Sequence, residues 1–382
     1  MRRYAAYDPP EYVAWKCDSR LVEEYHARLA MEPERLEIVT GLDDTCLLGL
    51  YRGLLRFRLH AIALKRWVKQ GTISKAWLGT GEEAVTIGAV HALRRGAGSD
   101  VVAPMIRNAG ACLEMGVPIS DLLRAYLGTA DGPTKGRDLH LGDFSRGVLA
   151  PVSMVGSVST VVNGYALAFQ LRGEDRVGMT WIGDGSTKTG EVHEALNFAA
   201  VRQLPVVFVI QNNQVALGTS LAQHHRAPDF LGWGPAYGMP VLAADGNNVL
   251  DMHAAAVMAV RACRGGRGPV MIASETFRMG GHATHDEREA RQMLEASVFD
   301  HWGRRDPIGM YEEYLAALPR SLSGPGGAGL EPVDIETLNR GVMAEIERDV
   351  TLEVERGADE ARASRDSSLP EPGPSEVEWC YG

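Results

Sequence analysis

The sequence lacks several features that would assign it to a specialised class of protein. Its five cysteines, spread over 382 residues, contain no CxxC pair, which argues against a zinc site and against a disulfide framework. Acidic residues outnumber basic ones and give a net charge of −10, so we expect no nucleic-acid partner, which would need a basic surface. What is left is an ordinary globular protein with reduced thiols.

Long apolar segments are missing as well. No run of residues approaches the roughly 18 apolar positions that a membrane-spanning helix needs, so we expect no membrane association. The N-terminus, MRRYAAYDPPEYVAWK, carries two arginines but not the apolar core of a signal peptide. These observations favour a cytoplasmic protein.

The middle of the chain alternates apolar runs with helical patterns. Helices are expected over residues 43–70, 190–202 and 247–263, and strands over residues 176–182, 206–210 and 270–275. The run VVFVI is continuously apolar, as expected for a strand that is buried on both faces. Alternating strands and helices are typical of a parallel sheet flanked by helices, so the predicted fold class is α/β.

Composition predicts five segments. Residues 1–42, with prolines, charges and weak periodicity, are expected to form an N-terminal arm that lies on another surface. Residues 43–320 form the α/β domain, and the Gly- and Pro-rich residues 321–332 form a linker. An apolar stripe predicts a C-terminal helix over residues 333–355, and residues 356–382 form an acidic, proline-containing tail.

The stretch IGDGSTKTGEVHEALNFAAVRQLPVVFVIQNNQ, residues 182–214, carries the most chemical information. Gly183 and Gly185 follow a predicted strand and allow backbone N–H groups to approach a phosphate closely. Asp184 lies between them, and an asparagine pair ending in Asn213 follows the next strand. Because parallel strands end at the same edge of a sheet, these oxygens are expected to meet there. A carboxylate, an amide oxygen and a backbone carbonyl form a suitable partial shell for Mg²⁺ beside a diphosphate.

This ordered combination resembles the thiamine-diphosphate fingerprint, in which GDG is followed by NN one helix and one strand later. The segments FAAVRQLPVVFVIQNNQ and ETFRMGGHATHDE are similar to the alpha subunits of pyruvate, acetoin and branched-chain 2-oxo acid dehydrogenases. The resemblance runs from about Leu47 to the C-terminal helix. It implies a thiamine-diphosphate-binding fold with a diphosphate-type domain and helical additions at both ends, with thiamine diphosphate and Mg²⁺ as cofactors.

The resemblance also implies roles for particular residues. The side chains of Asp184 and Asn213 and the carbonyl of Val215 are the implied Mg²⁺ ligands. Gly183 belongs to the same cofactor-binding turn. The backbone N–H groups of Gly185 and Ser186 would hold the diphosphate.

Three further segments match the family pattern. Arg107, in PMIRNAG, falls where the family has an arginine that contacts the diphosphate, although Ile106 replaces the family's preceding tyrosine. In APVSMVGS, Ser153 and Val155 match a segment that flanks the cofactor. His282, in RMGGHATHD, matches a family histidine that contacts the diphosphate and assists transfer to the lipoyl group, which makes it the implied catalytic residue.

Other residues near these segments carry weaker signals. Ala283 follows His282 where mammalian relatives have a regulatory serine, so control by phosphorylation is not expected at that position. His193 and His285 are weaker candidates for the site than His282. Met105 and Ile106 are expected near the substrate pocket and favour an apolar substrate.

The implied activity is oxidative decarboxylation of a small 2-oxo acid, with acyl transfer to a lipoyl group. The resemblance implies that a beta subunit supplies the aminopyrimidine-binding half of the site and its glutamate. No second α/β unit is expected after residue 320 of this chain. The implied partners are therefore this beta subunit, in a heterotetramer, and a lipoyl acyltransferase component.

Three alternatives remain open from the sequence. The chain could belong to a thiamine-dependent carboligase or decarboxylase of a biosynthetic pathway. It could also be a non-catalytic scaffold relative that kept the fold. An unrelated nucleotide-binding protein would favour a GxGxxG turn or a GxxxxGK[ST] loop, and the turn at Asp184 is neither.

Overall fold

A computed structural model of the chain describes residues 19–96, 98–322 and 332–371. Parts of the predicted arm, linker and tail therefore lie outside the described residues. Among the described residues, none of the helices combines the length and the apolar character that crossing a membrane requires.

Helices occupy much of the described chain. In chain order they are α1 (Ser19–Ala30), α2 (Pro33–Thr40), α3 (Asp44–Lys69), α4 (Glu83–Val90), α5 (Ala109–Glu114), α6 (Ile119–Leu127), α7 (Val158–Arg172), α8 (Gly190–Arg202), α9 (Leu221–His224), α10 (Trp233–Tyr237), α11 (Val249–Arg264), α12 (Glu287–Met293), α13 (Ala296–Gly303), α14 (Pro307–Ala316) and α15 (Pro332–Ser367). The strands are β1 (Val101–Ala103), β2 (Gly178–Gly183), β3 (Val206–Asn212), β4 (Val215–Ala216), β5 (Thr219–Ser220), β6 (Val241–Asp245) and β7 (Val270–Glu275).

Five of these strands form one parallel sheet in the order β1-β2-β3-β7-β6. β4 and β5 form a separate antiparallel pair. Helices cover both faces of the parallel sheet, which confirms the predicted α/β class. The strands predicted from apolar runs are β2, β3 and β7, and the shorter β1 and β6 complete the sheet at its two edges.

The alternation of side chains along β3 explains how the sheet separates two apolar cores. Every residue of this strand is buried. Val207 and Val209 belong to the core that includes α3, α4 and α11. Phe208 and Ile210 point the other way, into the core that includes α7 and α8. A continuously apolar strand is therefore required, because neither of its faces meets water.

The predicted helix over residues 43–70 closely matches α3, and its ends have a clear local cause. The Asp43 side chain accepts a hydrogen bond from the backbone N–H of Cys46 at 2.7 Å and caps the first turn. Gln70 follows the last helical residue. The helix places Leu54, Leu55 and other apolar side chains in the core.

The structure differs from the expected arm over residues 19–40, which fold as α1 and α2 against the chain's own domain. Tyr25 and Leu29 of α1 are buried in the core that contains α11. Arg28 and Arg35 both pair with the buried Asp251 of α11. The ion pairs reach a helix more than 200 residues away in the sequence, so no local pattern indicates them.

The structure also differs at the C-terminal end, where α15 continues past residue 355 into the predicted tail. Ala358 and Ala361 are buried in the core, and α15 packs along α3 and α6. At Gly357, an added Cβ would lie only 3.0 Å from Ile119 of α6, so the two helices approach closely. Glycine and alanine make this contact instead of large apolar residues. The segment therefore has few large apolar residues, which is why its sequence predicted a tail. The division of the chain into domains stays a prediction.

Candidate functional site

The candidate site lies at the edge of the sheet where β2 and β3 end side by side. Gly183 is the last residue of β2 and pairs with Gln211 of β3. Asp184 and Gly185 follow β2 directly, and Asn213 follows β3. The structure therefore brings the GDG turn and Asn213 to the carboxyl edge of the sheet, where parallel α/β proteins bind ligands.

A cavity of about 460 Å³ opens at this edge. The residues that the sequence predicted for the site all line it: Arg107, Ser153, Val155, Gly183, Asp184, Gly185, Ser186, Asn213, Val215 and His282. Ile106 and Met105, expected near the substrate pocket, line it too. The structure thus gathers the predicted residues around one cavity, while their roles in binding and catalysis stay predictions.

The Asp184 carboxylate is buried and already has a partner within the chain. His224 Nε2 lies 3.0 Å from Asp184 Oδ2. Burial raises the pKa of the Asp184 carboxyl. A cation that binds Asp184 would therefore compete with an imidazole for Oδ2.

The other two predicted oxygen ligands also contact side chains. Asn213 Nδ2 donates to Glu82 Oε1 at 2.8 Å, which leaves the amide oxygen as the end that can ligate a cation. The Val215 carbonyl accepts a hydrogen bond from Arg278 Nη1 at 3.2 Å. A metal ion at Val215 would share that oxygen with a guanidinium.

The donor set at this edge suits a hard cation that is bound together with a phosphorylated ligand. Asp184, Asn213 and Val215 offer a carboxylate, an amide oxygen and a carbonyl oxygen. Over the described ranges, no group of three or more His, Cys, Asp or Glu side chains is arranged to hold a metal. Such a partial oxygen shell, completed by phosphate and water, is how Mg²⁺ is usually bound, so the residues fit Mg²⁺ with a diphosphate.

The turn after β2 is held tightly and needs a glycine for close packing. Gly185 has an ordinary helical φ of −66°, so its backbone is not strained. A Cβ added there would lie 2.5 Å from the Cβ of Ala216. The Thr187 hydroxyl donates to the Asp184 carbonyl at 2.5 Å and the Thr189 hydroxyl donates to the Ser186 carbonyl at 3.0 Å. The turn is therefore fixed beside the cavity.

Two buried guanidinium groups give the cavity wall positive charge. Arg107 donates to the carbonyls of Leu78 and His282, both at 2.9 Å. Arg278 donates to the carbonyl of Leu217 at 2.9 Å. Burial, with the charge of Arg107 next in importance, lowers the pKa of Arg278 to about 10. An anionic ligand such as a diphosphate would reduce the repulsion between the two positive charges.

His282 lies on a loop that the chain anchors at several points. Arg107 binds its carbonyl, and the next residue, Ala283, donates its N–H to Asp286 Oδ1 at 2.9 Å. Thr284 donates its N–H to the Ala76 carbonyl at 2.9 Å. Burial first, and then the charges of the two arginines, lower the pKa of His282 to about 4. The ring is therefore neutral near pH 7.

The rim of the cavity is exposed and largely apolar. Val155, Met154 and Leu217 line the cavity and are 53%, 64% and 60% exposed. Ser153 Oγ lies 3.5 Å from His140 Nε2, which also lines the cavity. Such a set of exposed apolar side chains around a cavity is typical of a surface that another protein covers.

The two weaker histidine candidates lie apart from the cavity lining. His193 contacts the Tyr237 hydroxyl and packs against Trp233 on the outer side of α8. His285 is exposed and follows the anchored part of the loop. Neither residue lines the cavity.

Sequence reasoning missed several residues of this region, and four of them have polar or aromatic side chains in contact with the site. Trp77 and His140 line the cavity, His224 binds Asp184, and Glu82 binds Asn213. Each comes from a loop or a helix end without periodicity, so local pattern contained no signal for it. Only the doubled acid in GTGEEAV, directly before an apolar helix, marked Glu82 as unusual.

Comparison with known proteins gives one family match. A sequence profile described as "Dehydrogenase E1 component" matches residues 53–318, which is more than half of the chain.

Three relatives illustrate the similarity. The alpha subunit of 3-methyl-2-oxobutanoate dehydrogenase from Mycobacterium tuberculosis is 36% identical over 248 residues, covering 65% of this chain and 64% of that protein. The alpha subunit of acetoin:2,6-dichlorophenolindophenol oxidoreductase from Cupriavidus necator is 30% identical over 339 residues, covering 88% of this chain and 94% of that protein. The alpha subunit of the pyruvate dehydrogenase E1 component from Rhizobium meliloti is 33% identical over 230 residues, covering 60% and 65%. The chain thus spans less than two thirds of the first and third of these relatives.

Proposed function

The chain belongs to the dehydrogenase E1 component family, and from this premise we propose that it is the alpha subunit of a heteromeric 2-oxo acid dehydrogenase. The family resemblance seen in the motifs is confirmed by this match. The observation that carries the proposal is the cavity at the ends of β2 and β3. It joins oxygen donors for a divalent cation to two buried guanidinium groups.

The cofactor pair that suits this cavity is thiamine diphosphate with Mg²⁺. Asp184, Asn213 and the Val215 carbonyl would ligate the metal. The N–H groups of Gly185 and Ser186 would hold the diphosphate. Mg²⁺ and a diphosphate bring charges of opposite sign, so each offsets the other when both are bound.

When bound, thiamine diphosphate supplies the electron sink that decarboxylation of a 2-oxo acid requires. The residues of this chain would bind the cofactor and orient the substrate. Arg107 supplies a permanent positive charge for an anionic group, and a guanidinium can contact such a group through two nitrogens. His282, neutral near pH 7, presents an uncharged imidazole at the cavity wall that can form a hydrogen bond with a ligand. Trp77 and Ile106 give that wall apolar surface, which favours a substrate with an apolar side chain.

A second subunit is part of the proposal. The resemblance implies that the glutamate needed to activate the aminopyrimidine comes from a beta subunit. The exposed apolar rim, including Met154, Val155 and Leu217, supports a partner that covers the cavity mouth. The isolated chain is therefore expected to be inactive, and the active form to be an alpha-beta heterotetramer.

The dehydrogenase and the carboligase differ in the molecule that accepts the acyl group. We propose that a lipoyl group on an acyltransferase component receives the acyl group. Ile106, in place of the family's tyrosine, lines the cavity and keeps a thiamine-dependent carboligase as the second candidate. Reductive acylation of a lipoyl domain by the assembled complex supports the dehydrogenase, and turnover only with an aldehyde or a second oxo acid supports the carboligase.

Calorimetric titration tests the cofactor site directly. Thiamine diphosphate with Mg²⁺ is titrated into the full chain, alone and co-produced with a candidate beta subunit, and again after Asp184→Ala. Asp175→Ala is the control, because this exposed aspartate lies before β2, away from the cavity. Mg²⁺-dependent binding that survives the control and is lost with Asp184→Ala supports the proposal. Absence of binding in the assembled complex refutes it.

A further inference from the structure

Glu82 is a fully buried carboxylate directly behind the cavity wall. It precedes α4 and has 0% exposed surface. Its two oxygens face two parts of the site. Oε1 contacts Asn213, the predicted metal ligand, and Oε2 lies 3.6 Å from Nε of Arg107, the predicted diphosphate contact. Neither contact follows from the motifs.

The Oε1 atom determines which way two amide side chains point. It accepts a hydrogen bond from Gln211 Nε2 at 2.5 Å and one from Asn213 Nδ2 at 2.8 Å. A carboxylate can only accept, so an amide beside it must present its nitrogen. The Asn213 oxygen is thereby directed away from Glu82, and that oxygen is the atom a hard cation needs.

The same contacts connect Glu82 to the loop that carries Arg107. The Gln211 oxygen accepts from Asn108 Nδ2 at 2.9 Å. The Asn108 oxygen accepts from the backbone N–H of Met105 at 3.3 Å. A buried network of this kind has one consistent direction of donors and acceptors, which the carboxylate at its end determines.

The Oε2 atom has a buried position with no hydrogen-bond partner among the described residues. The nearby Arg107 guanidinium supplies its charge compensation across 3.6 Å. This contact also limits the orientations that Arg107 can adopt, since Nη1 and Nη2 are already bound to Leu78 and His282.

We propose that Glu82 is a positioning residue for the metal and diphosphate site. Its carboxylate turns the Asn213 oxygen toward Mg²⁺ and holds the Arg107 guanidinium in place for the diphosphate. This inference rests on the proposed function, because it assigns Glu82 to the same cofactor pair.

The substitution Glu82→Gln removes the negative charge but keeps the size and shape of the side chain. If the new amide presents its oxygen to Asn213, its nitrogen faces Arg107, and two donors oppose each other. If it presents its nitrogen, Asn213 must flip and turn its own nitrogen toward the metal. Glu82→Asp keeps the charge on a shorter side chain and is the conservative variant.

The neighbouring strand offers a matched control. Glu275 at the end of β7 also accepts from two side-chain amides, Asn212 Nδ2 at 2.7 Å and Gln214 Nε2 at 2.6 Å. These amides do not line the cavity. Glu275→Gln thus makes the same chemical change in the same kind of contact, at amides that adjoin Asn213 in the chain but do not themselves line the cavity.

The experiment measures metal affinity in the assembled alpha-beta complex. Mg²⁺ is titrated calorimetrically at saturating thiamine diphosphate, and Mn²⁺ binding is followed by electron paramagnetic resonance. We expect folded Glu82→Gln to weaken metal binding about 10- to 100-fold, as for other residues that orient metal ligands, and to melt at a lower temperature because Arg107 loses a buried counter-charge. Glu82→Asp should recover part of this loss, and Glu275→Gln should change the affinity by no more than about twofold.

The possible failures can be told apart. Wild-type metal affinity in folded Glu82→Gln overturns the inference and leaves the proposed function intact. An equal loss in Glu275→Gln overturns it as well, because the effect would then be general. If Glu82→Gln does not fold, Glu82→Asp decides, and wild-type affinity in that variant is the contrary result. A wild-type complex that binds neither Mg²⁺ nor thiamine diphosphate overturns both proposals.

Discussion

Arg107 connects the site to the rest of the fold, and its removal should be costly even without any ligand. Its guanidinium holds the Leu78 carbonyl, the His282 carbonyl and the Glu82 carboxylate. The side chain is 6% exposed, so water does not replace these contacts. Arg107→Met retains an apolar stem of similar length and deletes all three contacts.

The expected magnitude follows from what the substitution leaves behind. Each carbonyl loses a charged donor, worth about 1.5–3 kcal/mol per hydrogen bond. Glu82 loses its charge compensation in a buried position, and breaking a buried pair typically costs about 3–5 kcal/mol. Because these terms overlap, we expect Arg107→Met to reduce the free energy of unfolding by about 3–5 kcal/mol. Arg107→Lys keeps the charge but cannot bind both carbonyls, and should cost about 1–2 kcal/mol.

Urea titration followed by tryptophan fluorescence measures this loss, with Arg94→Met as the matched control. Arg94 pairs with Asp175 at the surface, where both side chains are more than half exposed. Water screens such a pair, so Arg94→Met should leave the urea midpoint nearly unchanged. A second readout is the proton NMR titration of His282, whose lowered pKa should rise in Arg107→Met because a positive neighbour is gone. Equal stability losses for the two arginine variants, with an unchanged His282 titration, would refute the reasoning.

Three further predictions concern stability. Arg58 pairs with two fully buried carboxylates, so Arg58→Met should cost about 3–5 kcal/mol in a urea titration, and a loss under about 1 kcal/mol would contradict this. Burial, with a smaller contribution from a nearby arginine, lowers the pKa of His60 from 6.5 to about 4, so stability should fall by about 3 kcal/mol as the pH drops through that window. His60→Leu should remove this part of the pH dependence, and an unchanged slope would contradict the assignment. Gly185→Ala should cost about 1–3 kcal/mol, because its new methyl meets Ala216, whereas Gly164→Ala, with open space around it, should not reduce the melting temperature.

The sequence predicted those parts of the fold in which local pattern and burial agree. The strand β3 begins with a continuous apolar run, and α3 carries apolar residues at three- and four-residue steps, so both were recognised. β1 has only three residues, too few to show a pattern. The helices α1 and α2 combine a few buried apolar side chains with buried ion pairs, and the ion pairs depend on a distant aspartate in α11 that no local window includes.

In the site, too, some residues could be predicted from local sequence patterns and others depend on distant contacts. Asp184 and Asn213 could be placed together because strand ends in a parallel sheet share one edge, an argument that needs no coordinates. Glu82 and His224 reach the same residues from loops whose paths the sequence does not specify. A hydrogen bond between Glu82 and Asn213 depends on the packing of α4 against the sheet. Polar contacts of this type leave no periodic trace, and only the three-dimensional structure reveals them.

The anchored loop around His282 has a consequence for the thermodynamics of ligand binding. Arg107 and Ala76 hold this loop through hydrogen bonds within the chain. Ordering a flexible loop at the moment of binding costs about 1–2 kcal/mol of backbone entropy per residue. Here that entropy is already lost during folding, so an arriving cofactor meets a preorganised wall and keeps more of its contact energy as affinity.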